Sequence, residues 1–84
     1  MIKEYDLAIV ESTPKNAAYD DVFYYDPDRD NLDELLRDHF TKVFQVSHGT
    51  VTVTVDRAVF TGTATGPHAR VRFSLNEILL EGKR

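Results

Sequence analysis

The run Asp26-x-Asp28-x-Asp30 is the sharpest chemical pattern in the chain. Carboxylates at alternate positions of a turn are how calcium loops gather oxygen ligands. The rest of such a loop does not follow, because the glycine position holds Asn31 and the closing glutamate position holds Arg37. These aspartates are therefore expected to shape a turn and the start of the helix after it, where short acidic side chains accept backbone N–H groups and face the positive helix end. No metal or other cofactor is expected. His39, His48 and His68 have no metal-ligand spacing; His39 falls at the edge of a helical stripe, and the other two fall in turns. The chain has no glycine-rich phosphate loop, no nucleophile-elbow serine, no paired-histidine zinc motif and no cysteine, so it is not expected to be an enzyme.

Two further groups of side chains suit binding rather than reaction. Arg57, Arg70 and Arg72, with a tyrosine as stacking platform, would be a minimal surface for single-stranded nucleic acid. Three arginines are few, the net charge of −4 opposes a phosphate backbone, and an alternating wet strand face explains the same residues. Tyr19, Phe23, Tyr24 and Tyr25 are bordered by aspartates, and tyrosines in such a setting make good rims for a protein interface.

The elements that must position these groups follow from periodicity. Tyr5, Leu7 and Ile9 alternate with Asp6, Ala8 and Val10, which predicts a strand over residues 3–11. Residues 12–16, with Pro14, form a connection. Residues 21–26 predict a second strand, antiparallel to the first. Leu32, Leu35, Leu36, His39, Phe40 and Val43 recur at spacings of three and four, the stripe of a helix from about Asn31 to Lys42. Asn31 and Glu34 fit a capping box, with Asp30 as a rival cap. Residues 43–47 read as a strand entering a turn at Ser47-His48-Gly49. Residues 50–55 alternate threonine with valine, and residues 58–65 continue β-like after a turn or bulge at Asp56-Arg57. Gly66-Pro67-His68 turns the chain again. Ala69, Val71, Phe73 and Leu75 then alternate with Arg70, Arg72 and Ser74 to give a last strand with a basic outer face. Ser74 and Glu77 repeat the capping-box spacing, which predicts a short helical turn over residues 78–80.

The expected fold is thus α+β: one domain over residues 1–84, a single antiparallel sheet of four to five strands, and one amphipathic helix packed on one face, in the order β-β-α-β-β-β. A composition of 42% hydrophobic residues excludes disorder over the whole length. A chain this short buries only roughly 60% of its unfolded surface, so the core must take most of the large apolar side chains and leave little for a deep pocket. The absence of cysteine favours a reducing compartment, and no apolar run approaches a signal peptide core or a membrane span, so a cytoplasmic protein with no membrane partner is expected.

Charge is uneven along the chain. Residues 1–40 hold eleven of the fourteen acids and four of the ten bases, whereas residues 41–84 are net basic. If the fold keeps these halves apart, the protein carries an acidic face that attracts a basic protein surface. The leading expectation is therefore a small protein-binding module, most plausibly an inhibitor, whose contact residues are Asp20, Asp21, Tyr24, Tyr25, Asp26, Asp28, Asp30, Asp33 and Glu34. In size, acidity and lack of motifs it resembles the short inhibitors with which phages and mobile elements block host defence, anti-CRISPR proteins among them, and small immunity proteins that neutralise a toxin; no specific motif carries that resemblance. The alternative is a self-associating structural subunit, since the strand over residues 50–55 offers an edge to a second copy.

Overall fold

A computed structural model describes residues 1–78. Its elements are β1 (Lys3–Thr13), β2 (Asp21–Tyr25), α1 (Leu32–Phe44), a 3-10 turn (His48–Thr50), β3 (Thr52–Asp56), β4 (Thr61–Thr65) and β5 (Arg70–Glu77). The fold is the expected α+β type, one open antiparallel sheet of five strands in the order β2-β1-β5-β4-β3, with a single helix. No helix among the described residues is long and apolar enough to cross a membrane.

The alternation of β1 decides the two faces of the sheet. Tyr5, Leu7 and Ile9 point toward α1, and pairing places Phe23 opposite Tyr5, and Leu75 and Phe73 opposite Leu7 and Ile9. Directly opposed residues share a face, so these side chains form one apolar layer. Beyond Ile9 the register shifts, because Val10 is an extra residue that β5 does not match. Against this layer α1 sets Leu32, Leu36 and Phe40, all essentially without solvent contact. Phe40 lies at the centre, its ring 5.3 Å from that of Phe73 and 5.5 Å from that of Phe44.

The helix starts as its sequence indicates. Asn31 Oδ1 accepts the Glu34 N–H at 3.1 Å, while the rival Asp30 accepts the Asp26 N–H instead. The end differs from expectation: Val43 and Phe44 are helical, and no strand covers residues 43–47. Their β-favouring types are outweighed by position, since they continue the stripe of Leu36 and Phe40 onto the core. Gln45 then closes the helix in the left-handed region (φ 58°), its N–H bonding to Lys42 and the Val46 N–H to Thr41.

The second correction is at residues 57–60, which make a four-residue hairpin turn instead of joining the next strand. Asp56 organises it, accepting the Ala58 N–H on its side chain and the Phe60 N–H on its carbonyl. Phe60 sits at φ 53°, a conformation normally left to glycine or asparagine. Its ring packs edge-on against Tyr5, with centroids 5.5 Å apart, which is what holds a bulky residue there. At the end of the described chain Ser74 and Glu77 belong to β5. The helical turn predicted over residues 78–80 lies, after Ile78, outside the described residues.

Candidate functional site

The other face of the sheet carries no covering element among the described residues. Alternation and register place Glu4, Asp6 and Ala8 of β1 on it, with Val22 and Tyr24 of β2, Arg70, Arg72, Ser74 and Asn76 of β5, three threonines of β4, and Thr52, Thr54 and Asp56 of β3. This face is divided electrically. On the β1–β2 half Glu4 lies directly opposite Tyr24, and Asp6 opposite Val22. Tyr24 is 61% exposed and Val22 44% exposed. Among the described residues no basic side chain shares this half, since Lys3 points to the helix side, within 3.9 Å of Glu77. On the other half Arg72 binds Glu11 at 2.9 Å, and Arg70 lies between Thr13 and Thr65.

The nine residues singled out in the sequence do not form one patch. Tyr25 is buried, its ring 6.3 Å from Tyr5, because it shares the core face with Phe23; of the adjacent tyrosines only Tyr24 offers contact area. Asp26 is buried as well. Its Oδ1 accepts the Asp28 N–H at 2.9 Å and the Met1 ammonium at 3.1 Å, and Asp28 holds the same ammonium. These bonds, led by the one to the ammonium, hold the Asp26 carboxyl below its ordinary value and raise the amine. Asp26 and Asp30 thus shape the turn, as their spacing indicates, whereas Asp28 accepts the Met1 ammonium and the helix cap falls to Asn31. Asp33 is paired with Arg57 at 3.1 Å, and Glu34 lies 3.3 Å from Arg37 and 3.5 Å from His48. Asp20 and Asp21 lie at the far end of β2, about 17 Å from Asp26 along an extended chain. There Asp20 accepts the Ile9 N–H at 2.8 Å, extending the ladder past the end of β2, and Asp21 accepts the Val22 N–H.

The pairing of Glu4 and Asp6 with Tyr24 and Val22 was not anticipated. These carboxylates belong to a strand separated from β2 by a connection, and their position beside a tyrosine depends on register, which a single sequence does not reveal.

One group among the described residues has the composition of a metal site. Donor atoms of Glu34, Asp38 and His48 lie within 4.8 Å of one another. Its side chains already have partners: His48 Nε2 lies 2.9 Å from Asp38, and Arg37 holds Glu34 while its Nε donates to the Val51 carbonyl. All three side chains of the group are exposed, which fits polar contacts that tie α1 to the 3-10 turn.

His39 is half-buried, edge-on to Phe23 and Phe40 at 6.1 and 5.1 Å. Burial holds its imidazole below the ordinary 6.5, and Lys42 adds to this while Asp21 opposes it. The unfolded chain therefore takes up the proton more readily than the folded one. Stability is expected to be fullest above pH 6.5 and to decline as pH falls from there toward the folded value, below which this contribution is exhausted. Thermal unfolding at pH 7.5 and 5.5 measures it: His39→Leu should lose less stability than wild type between the two, and equal losses would show that other groups set the slope.

Fold and surface together define a small α+β domain with an uncovered, charge-divided sheet face. Compared with protein families, curated proteins and solved structures, the chain matches none.

Proposed function

We propose that the protein is a cytoplasmic protein-binding module of the inhibitor type, without catalysis of its own, that docks the β1–β2 half of its open sheet face on a basic surface of another protein. The observation that carries this reading is the register that sets Tyr24 and Val22 beside Glu4 and Asp6, with no base beside them among the described residues. A tyrosine on a rigid strand offers apolar area at small entropic cost, and carboxylates around it steer a basic partner and reject an acidic one. The open face of an antiparallel sheet is also pre-organised, so little ordering is needed on binding.

The test uses the partner recovered at low salt from the native host. Glu4→Lys with Asp6→Lys should slow association roughly tenfold at low ionic strength and flatten its salt dependence, with dissociation little changed. Tyr24→Ala should instead speed dissociation by about tenfold or more. Wild-type kinetics in both variants, with the fold intact by circular dichroism, would remove the proposal.

A further inference from the structure

The two outer strands of the sheet are not equally protected. In β2 the groups that point off the sheet belong to Val22 and Tyr24, because Ile9, on the side of β1 that faces β2, bonds to Asp20 where β2 ends. The Val22 N–H is taken at 2.8 Å by the neighbouring Asp21 carboxylate. Aspartates also stand at both ends of this strand. Such features block a sheet edge against another chain.

At the opposite edge β3 has no comparable guard among the described residues. The Leu75 N–H donates to Phe60, and the Gly66 N–H to Ala69, so alternate residues of β4, namely Phe60, Gly62 and Ala64, address β5. Thr61, Thr63 and Thr65 then address β3 through Asp56, Thr54 and Thr52. Val53 and Val55 are left with N–H and C=O groups directed away from the sheet. The Val51 carbonyl is covered by Arg37, but the two valines that follow are not, and β3 contains no lysine, proline or bulge. A polar groove lined by Asn31, Asp33, Glu34, Arg37, Thr52 and Val53 separates the edge from the start of α1 and leaves it approachable.

We infer that β3 pairs with β3 of a second copy, antiparallel about a two-fold axis at Thr54, to join two five-stranded sheets into one. The occupant is a second copy because the strand is its own complement. In this register Val53 faces Val55 of the other copy, so the free groups of both valines satisfy each other twice over. The valines extend the core-side layer, and on the other face Thr54 meets Thr54 while Asp56 meets Thr52, so no acid opposes an acid. This inference is independent of the proposed docking face, which lies at the β1–β2 side of the sheet.

Cysteine substitution in the full chain tests both the contact and the register, since the protein has no cysteine of its own. At a two-fold non-hydrogen-bonded pair the Thr54 Cα atoms would stand about 4.5 Å apart, within the range of a disulfide. The two Thr52 Cα atoms would be about 13 Å apart. Under mild oxidation Thr54→Cys should link into a dimer, and Thr52→Cys should link at least about tenfold more slowly. Sedimentation of wild type should show a dimer growing with concentration, and Val55→Pro, which removes an off-sheet N–H that the monomer does not use, should raise its dissociation constant about tenfold or more. Equal linking by the two cysteine variants overturns the inference. So does a wild-type chain that stays monomeric at all concentrations, an outcome that would leave the edge to an extended segment of another protein.

Discussion

Gly62→Ala is expected to destabilise the protein by about 3 kcal/mol, although it adds a single methyl group. Gly62 lies on the core face of β4, between Val55 of β3 and Phe73 of β5. A Cβ there would stand 2.7 Å from the tip of the Phe73 ring and would run into the Thr54 carbonyl oxygen. The ring has some freedom to move. The carbonyl has almost none, because Thr54 is held in the ladder with Thr63. The methyl therefore separates β3 from β4 or displaces Phe73 from Phe40, and either costs packing at the centre. For a domain of this size about 3 kcal/mol corresponds to a fall in Tm of about 12–24 °C. Calorimetry of G62A measures it directly, and a fall under about 4 °C would mean that the sheet yields more easily than its register implies.

Phe40→Ala should be the more damaging of the two. Phe40 has no solvent exposure and joins α1 to the sheet through Phe73, with Phe44 and His39 against its other sides. Removing a buried ring costs about 3–5 kcal/mol, the spread reflecting how far the neighbours collapse into the space. The whole stability of an 84-residue chain is about 4–12 kcal/mol. F40A is thus expected to lie near the limit of folding, with its urea midpoint reduced by a third or more. Phe40→Leu, which retains most of the volume, should lose about 1.5 kcal/mol or less. Similar midpoints for F40A and wild type would show that α1 does not depend on this ring. Because Phe73 is common to both sites, the Gly62 and Phe40 effects should not add.

These positions also show what local patterning conveys. The helix start was legible because Asn31 and the spacing of Leu32, Leu36 and Phe40 are local features, β1 and β5 were legible from alternation, and β2 was legible as a β-favouring run bounded by aspartates. Residues 43–47 misled because valine and phenylalanine favour strands in isolation, whereas here the helical stripe decides. The hairpin turn at 57–60 was hidden because Phe60 occupies a left-handed position without glycine or asparagine to announce it, held by a contact with Tyr5 far away in the chain. The sheet order was hidden for a related reason. β1 is central because it pairs with β5 as well as with β2, and that long-range pairing is not written in either segment alone.

The candidate site follows the same division. Asp26 and Asp30 serve the 26–30 turn as their spacing indicates, but no aspartate of that turn caps the helix, which Asn31 does. Tyr24 and Tyr25 could not be told apart, because every residue from Val22 to Tyr25 is apolar or aromatic and so conceals which face is buried; the pairing of Tyr5 with Phe23 makes the choice. Charge counted along the chain pointed to residues 20–38, yet Asp33 is met by Arg57, Glu34 by Arg37, and Asp26 and Asp28 by the terminal ammonium. The carboxylates left beside the exposed Tyr24 and Val22 are Glu4 and Asp6, which the local pattern presents as ordinary wet positions of a strand.

The central claim is that the β1–β2 half of the open face is what a basic partner meets. Backbone amide shifts of the labelled protein, followed as the captured partner is added, test it most directly. The account predicts that the largest changes fall at Glu4, Asp6, Val22 and Tyr24 and diminish as salt is raised. Changes concentrated on α1, or on the threonines of β3 and β4, with those four residues unmoved, would contradict it.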